Sequence, residues 1–335
     1  MGLAAKLAAA QADSGQYARP PGPPPSTAVG AAVPAPPPSQ PSQPKSDPTK
    51  DVSMILRILE EGVKDQQNLA AFYPQGSLLP IAQKIATSGA LSQIAQSWKL
   101  PLEIAMDFAR LALFDCILYL DDSASMAFKQ WQGARLDELK MIVGHIATAA
   151  GLFDTDGINV RWMNSKKEGN GFTTEAQALE LIGRVKFDRG TPLGTALHEK
   201  VLEPLVHKPA KKGKLKKPVL IVCATDGAPT GEPRDTIIKV IKESKKLLDK
   251  TPYTADAVSF QLAQIGDDQG CREFMEYIDE EPTVGSLVDT TSNFENEQDN
   301  FSKANPPVHL TREMWLAKLI LGPIHSGWDA ADEQK

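Results

Sequence analysis

Two carboxylates and two hydroxyls follow an apolar run in the stretch LYLDDSASM. Asp121, Asp122, Ser123 and Ser125 come directly after residues 114–120 (FDCILYL), whose continuous apolar character predicts a strand covered on both faces. Residues two apart in an extended backbone point the same way, so Ser123 and Ser125 can share one side with Asp121. Carboxylate and hydroxyl oxygens in this arrangement suit a small, hard divalent cation.

Oxygen-bearing side chains also stand at the ends of two other predicted elements. Asp226 closes the strand-like run KPVLIVCATDG, and Thr191 lies in RGTPLG, immediately before a predicted helix. In a doubly wound sheet, ligands bind beyond the carboxyl ends of the central strands, at the switch point of the topology. We therefore predict that these two residues join Asp121, Ser123 and Ser125 in a site for Mg²⁺ or Mn²⁺.

Predicted strands and helices alternate through residues 112–322, which form the predicted main domain. The predicted strands are 114–120, 157–163, 217–227, 257–266 and 283–290. The predicted helices are 135–153, 174–185, 192–206, 232–250, 271–280 and 312–322. This alternation predicts an α/β fold with a doubly wound, mostly parallel sheet flanked by helices.

Three further segments flank that domain. Twelve of the 26 prolines lie between Pro20 and Pro48, so residues 1–50 are predicted to be a disordered, proline-rich arm. Residues 51–111 show helical spacing of apolar side chains and predict a small helical unit. Residues 323–335 are predicted to be a C-terminal tail.

The motifs DDSASM, GTPLG and TDG, in this order, resemble the metal-ion-dependent adhesion site of the von Willebrand factor type A domain. The resemblance covers residues 112–322. Within the family, this segment is most similar to intracellular fungal proteins with this domain. It implies a Rossmann-like sheet and a magnesium site built from Asp121, Ser123, Ser125, Thr191 and Asp226. In the family, the bound ion bridges to a Glu or Asp side chain of a protein partner, so the resemblance implies a binding module and not an enzyme.

Two residues depart from the family pattern. Ala124 stands where glycine is common, and Asp122 stands where a small or apolar residue is common. We expect Asp122 to be a solvated carboxylate. A metal-assisted hydrolase or phosphatase, with Asp122 or Asp226 as the base, is the alternative function. A phosphatase of the haloacid dehalogenase type is excluded, because it needs a second aspartate where Ser123 stands.

Charge and composition limit the classes of partner and location. The net charge of −6 argues against a dedicated nucleic-acid binder, and no apolar run is long enough to span a membrane. The three cysteines are few and far apart, which favours a reducing, cytoplasmic location. Six lysines within residues 207–217 leave a nuclear location open, although a solvated loop is favoured. The proline runs of the arm leave a proline-motif reader open as a second partner.

Overall fold

A six-stranded sheet in the order β3-β2-β1-β4-β5-β6 forms the centre of the molecule. The computed structural model describes residues 3–13, 47–65, 69–128, 133–305 and 307–329. The strands are β1 (Asp115–Leu120), β2 (Ile158–Trp162), β3 (Gly169–Phe172), β4 (Val219–Thr225), β5 (Val258–Gln264) and β6 (Val288–Thr291). All neighbouring strands run parallel except β3, which pairs antiparallel with β2 at one edge.

Helices precede the sheet and cover both of its faces. Before β1 lie α1 (Leu3–Asp13), α2 (Val52–Asp65), α3 (Leu78–Ser88), α4 (Ala90–Ser97) and α5 (Leu102–Asp107). After it lie α6 (Ala134–Phe153), α7 (Glu175–Gly183), α8 (Leu193–Ala196), α9 (Lys208–Lys211), α10 (Thr236–Leu248), α11 (Gln269–Asp279), α12 (Phe294–Lys303), α13 (Arg312–Leu321) and α14 (Ser326–Asp329). Wide π-helical turns at Leu197–His207 connect α8 to α9 and contain Pro204. Short 3₁₀ turns occupy Pro48–Lys50, Leu69–Ala71, Phe108–Leu113, Ala124–Ala127, Ala255–Ala257, Gly285–Leu287 and Gly322–Ile324.

The central strands β1 and β4 define the crevice where a ligand would bind. Their register pairs Ile117 with Ile221 and Leu120 with Ala224. Every residue of β4 is buried, as expected for a strand covered by helices on both faces. The chain moves from β1 toward one edge through β2, and later from β4 toward the other edge through β5. The carboxyl ends of β1 and β4 therefore form the switch point.

The helical unit before β1 packs on one face of the sheet. Ile55, Leu59 and Leu91 are buried in the same apolar cluster as Leu118 and Leu220 of the central strands. The side chains on the opposite face of these strands contribute to a second cluster, under α10 and α11. The helices of residues 51–111 thus share one apolar core with the sheet.

The predicted α/β fold with a mostly parallel sheet and flanking helices is confirmed. Three details differ from the sequence expectation. The last strand begins at Val288 and not at residue 283, because Gly285–Leu287 forms a 3₁₀ turn. The edge strand β3 and the helix α12 are additional elements. The strand β3 contains two glycines in four residues, so its sequence carries no strand signal.

Residues 3–13, which the sequence interpretation included in the arm, form the helix α1. Leu3 and Leu7 are fully buried, because a spacing of four places both on one helical face. Lys6 forms a partly buried ion pair of 2.5 Å with Asp107, and the Gln11 amide donates a hydrogen bond of 2.8 Å to the carbonyl of His309. The rest of the predicted arm up to position 46 lies outside the described residues.

The C-terminal segment after α13 also contacts the helical unit. The Trp328 side chain is fully buried, and its indole N–H donates a hydrogen bond of 3.0 Å to Asp107. Ser326 donates through its backbone N–H to Asp65 at 3.1 Å. The predicted tail is therefore helical and packed as far as Asp329. Across the described ranges, no helix combines the length and the apolar character needed to cross a bilayer.

The lysine-rich segment lies at the opposite end of the sheet from the switch point, because it precedes the amino end of β4. Lys212, Lys214 and Lys216 are exposed. Lys217 pairs with Asp154 at 3.0 Å. These lysines are thus remote from the carboxyl ends of the strands.

The docking of α1 can be tested with Leu7→Ala. We expect this substitution to lower the free energy of unfolding by about 1–3 kcal/mol, because it removes a buried side chain from a helix that can undock locally. Urea denaturation monitored by circular dichroism measures the change. Leu79→Ala is the matched control, since Leu79 is 42% exposed on α3. Equal effects of the two substitutions would contradict a docked α1.

The buried His325 side chain predicts a pH dependence of stability. Burial lowers the pKa of its imidazole to about 4, with Arg110 and Lys6 acting in the same direction and the carboxylates of Asp107 and Asp65 opposing them. As pH falls below about 6.5, the unfolded chain binds a proton that the folded chain does not bind until about pH 4. The imidazole therefore costs stability progressively across that window, by up to about 3 kcal/mol.

The measurement is the loss of unfolding free energy between about pH 7 and about pH 4.5. This loss should be smaller in His325→Gln than in the wild type. His309→Gln removes an exposed imidazole and serves as the control. Identical losses in wild type and His325→Gln would show that His325 binds its proton equally well in both states.

Candidate functional site

Asp121 connects the carboxyl ends of the two central strands. Its side chain is fully buried directly after β1. One carboxylate oxygen accepts the backbone N–H of Ser123 at 2.8 Å, and the other accepts the hydroxyl of Thr225 at 2.6 Å. Thr225 is the last residue of β4, so this carboxylate lies at the switch point of the sheet.

The two serines and Asp226 form a continuous row of oxygens beside it. The hydroxyls of Ser123 and Ser125 lie 3.0 Å apart, and the Ser125 hydroxyl donates to Oδ1 of Asp226 at 2.9 Å. Ser123 and Asp226 are buried, whereas Ser125 is half-buried. Four of the five predicted site residues are thus linked by hydrogen bonds among themselves.

Thr191 is held near this row by its main chain. Its N–H donates to the Thr230 hydroxyl at 2.7 Å, and its carbonyl accepts the N–H of Thr230 at 3.0 Å. Two residues earlier, the carbonyl of Arg189 accepts the N–H of Ala124, within the serine loop, at 3.1 Å. The loop containing Thr191 therefore lies against the loop containing the two serines.

Asp122 is fully buried, so the expectation of a solvated carboxylate is wrong. Its Oδ1 accepts the backbone N–H of Asn164 at 2.7 Å and the side-chain amide of Asn164 at 3.2 Å. Its Oδ2 accepts the N–H of Ser165 at 2.7 Å. The residue after Asp121 therefore points into the protein, and the Asp122 carboxylate holds the loop that follows β2 through these hydrogen bonds.

Arg135 is a site residue that the sequence interpretation missed. It lies in the first turn of α6, is 5% exposed, and forms an ion pair with Oδ2 of Asp226. The first turn of a helix disfavours a cation, because the helix dipole is positive there. Arg135 also precedes Leu139 and Ile142 by four and seven residues, on the buried face of the helix, so its position on this face was the available signal for a specific anionic partner.

Burial disfavours the ionised forms of Asp121 and Asp226. Burial raises the pKa of Asp121 to about 6, against the hydrogen bonds from Thr225 and Ser123. Burial also raises the pKa of Asp226, opposed by the hydrogen bond from Ser125 and the charge of Arg135. A cation placed beside these oxygens would stabilise their ionised forms.

The spacing of the oxygens can be compared with the requirements of magnesium. Neighbouring ligands of an octahedral ion with bonds of about 2.0–2.1 Å lie about 2.8–3.0 Å apart. The row Ser123–Ser125–Asp226 has separations of 3.0 and 2.9 Å. No three His, Cys, Asp or Glu side chains converge as a metal-binding group in the part of the chain that the structure describes. An ion here would therefore depend on hydroxyl oxygens as well as carboxylates. The row supplies both, at separations that suit an ion and that are also ordinary hydrogen-bond lengths.

Comparisons with known proteins give no family assignment. No protein-family model matches the sequence, and no curated protein matches it. Among solved structures, the chain is similar to proximal thread matrix protein 1 of the mussel byssus, at 20% identity and a TM-score of 0.38. The match covers 62% of this chain and 47% of that one, so the chain matches about half of that structure's length. A likeness at this level carries no inference about function.

The role of Asp122 can be tested with Asp122→Asn. The new amide would place N–H groups against the N–H of Ser165 or of Asn164, so we expect a loss of about 1–3 kcal/mol of stability. The midpoint of urea denaturation at constant slope measures it. Asp188→Asn, at a half-buried carboxylate that pairs with Lys186 at 2.6 Å, is the control and should leave the midpoint unchanged. An unchanged midpoint in Asp122→Asn would contradict the bracing role.

Proposed function

We propose that this chain is a divalent-metal-dependent protein-binding module of the von Willebrand factor A type. The residues proposed to hold Mg²⁺ or Mn²⁺ are Asp121, Ser123, Ser125, Thr191 and Asp226. The observation that carries the proposal is the row of oxygens from Ser123 through Ser125 to Asp226, at the carboxyl ends of β1 and β4. A bound ion would supply a positive centre to which an acidic side chain of a partner can coordinate.

The arrangement assigns different roles to the two aspartates. Both oxygens of Asp121 already accept hydrogen bonds, from Ser123 and Thr225. We therefore assign Asp121 to orienting the serine loop and to contributing negative charge, directly or through water. Both oxygens of Asp226 are engaged too, but Oδ1 accepts from the half-buried Ser125 hydroxyl, which can turn toward an ion. Ser125 and Asp226 are therefore proposed as direct ligands.

Hydrolysis is less well supported than binding by the same contacts. A general base needs an oxygen free to accept a proton from water. The Asp122 carboxylate accepts three hydrogen bonds from Asn164 and Ser165, and Asp226 is paired with Arg135. Each candidate base of the hydrolase alternative is thus engaged by other groups of the chain.

We propose a cytoplasmic location for this module. Cys116, Cys223 and Cys271 are free and buried, which suits a reducing compartment.

The proposed partner presents Glu or Asp side chains, in keeping with a site that would expose positive charge when an ion is bound.

Calorimetric titration with MnCl₂ and MgCl₂ tests the metal site. We expect saturable but weak binding, because only two ligands carry charge and Mg²⁺ gives up its water reluctantly. Ser125→Ala and Asp226→Asn should reduce the affinity at least about tenfold, since the first removes a proposed ligand oxygen and the second removes the charge of one. Asp188→Asn should bind as the wild type does. Absence of saturable binding in the folded wild type would refute the metal site.

Affinity capture distinguishes binding from hydrolysis. Immobilised wild type should retain partner proteins in the presence of Mg²⁺, and EDTA should release them. Immobilised Ser125→Ala should not retain them. A generic phosphate ester should not be turned over in Mg²⁺ or Mn²⁺. Turnover abolished by Ser125→Ala, together with no divalent-dependent capture, would favour the hydrolase.

A further inference from the structure

A buried arginine shares a carboxylate with the proposed metal site. The guanidinium of Arg135 contacts Oδ2 of Asp226, and Oδ1 of the same carboxylate accepts the Ser125 hydroxyl. Arg135 is 5% exposed and Asp226 is 1% exposed. Water screens such a pair poorly, so the positive charge of Arg135 acts at nearly full strength on anything that binds the other oxygen.

The fold provides a fixed cradle for this guanidinium. Gly266 has a φ of +69°, and a Cβ there would lie 2.9 Å from Nε of Arg135. The Gly266 N–H donates to Glu138 at 2.9 Å, and its carbonyl accepts the Asn293 amide at 2.8 Å. Gly266 leaves room for the arginine side chain because it has no Cβ, and two hydrogen bonds fix its backbone. The guanidinium is therefore held beside Asp226.

We propose that Arg135 sets the divalent-ion affinity of the site by competing for the charge of Asp226. This inference rests on the proposed metal-dependent function. Asp121 and Asp226 together carry two negative charges when ionised, and Arg135 cancels one of them. These three side chains then present one net negative charge to a divalent ion, and the guanidinium repels that ion across a single carboxylate.

The same balance leaves more positive charge for a partner. With Arg135, the three charged side chains and a divalent ion sum to one positive charge; without the arginine, they sum to zero. Arg135 therefore weakens the hold on the ion and strengthens the attraction of the loaded site for an acidic group. A residue that only stabilised the folded chain would not change ion affinity in this direction.

The test is calorimetric titration of MnCl₂ into folded wild type, Arg135→Gln, Arg135→Lys and Arg110→Gln. Arg135→Gln should bind Mn²⁺ at least about tenfold more tightly, because repulsion between a buried unit charge and a divalent ion exceeds the free energy of a tenfold change. Arg135→Lys keeps the positive charge that repels the ion and should stay within about threefold of the wild type. Arg110→Gln removes another buried arginine, paired with Asp65 at 2.7 Å, and should leave Mn²⁺ affinity unchanged.

The outcomes separate this inference from the function on which it rests. No saturable binding in wild type or in any variant would refute the metal site itself. Equal affinities in wild type and Arg135→Gln, with binding intact, would overturn the role of Arg135 and leave the metal site standing. If Arg135→Gln is unfolded without the ion, Mn²⁺ should restore its circular dichroism spectrum and melting transition. Failure of saturating Mn²⁺ to do so would also overturn the inference.

Discussion

The burial of the Asp121 and Asp226 carboxylates, where β1 and β4 end, constrains the residues around them. A carboxylate removed from water must be hydrogen-bonded or paired, because its desolvation is otherwise prohibitive. Asp121 meets this requirement with Thr225 and Ser123, and Asp226 meets it with Ser125 and Arg135. Ser123 lies in the turn just beyond Asp121, whereas Thr225 ends β4. Ser125 and Arg135 reach Asp226 from the turn after β1 and from α6. The requirements of the two aspartates therefore determine how the carboxyl edge of the sheet is assembled.

The helices before β1 stabilise the same edge from a distance. They cover one face of β1, and the strand can be a continuous apolar run only because both faces are covered. Their own apolar side chains, such as Ile55 and Leu59, are buried in the core shared with the sheet. The loop carrying Asp121 is therefore attached to a strand whose position depends on residues some sixty positions earlier in the chain.

The sequence predicts those parts of the fold that depend on local pattern. The runs that became β1 and β4 are apolar throughout, and the helix at residues 134–153 keeps its apolar spacing over five turns, so these elements need no knowledge of their neighbours. The convergence of Asp121, Ser123, Ser125 and Asp226 follows from the rule that parallel strands end at one edge. Their order along the chain was enough to place them together.

Features that depend on distant contacts were missed. The helix α1 is fixed by contacts such as Gln11 with His309, which are 298 positions apart. The antiparallel strand β3 exists because Ile158 of β2 pairs with Phe172, and not because of its own residues. Arg135 contacts Asp226 across 91 positions, and Asp122 contacts Asn164 across 42. In each case only the tertiary fold supplies the partner.

The three loops at the carboxyl edge are also tied to one another, which bears on how the site would bind. Thr230 fixes the main chain of Thr191, and the Glu232 carboxylate accepts the N–H groups of Gly194 and Thr195 at 2.6 and 2.9 Å. These bonds join the loop after β4 to the start of α8. Ordering flexible segments on binding costs conformational entropy, which lowers affinity. Here that ordering is already achieved by folding, so a ligand that reaches this edge meets loops that these hydrogen bonds have already ordered.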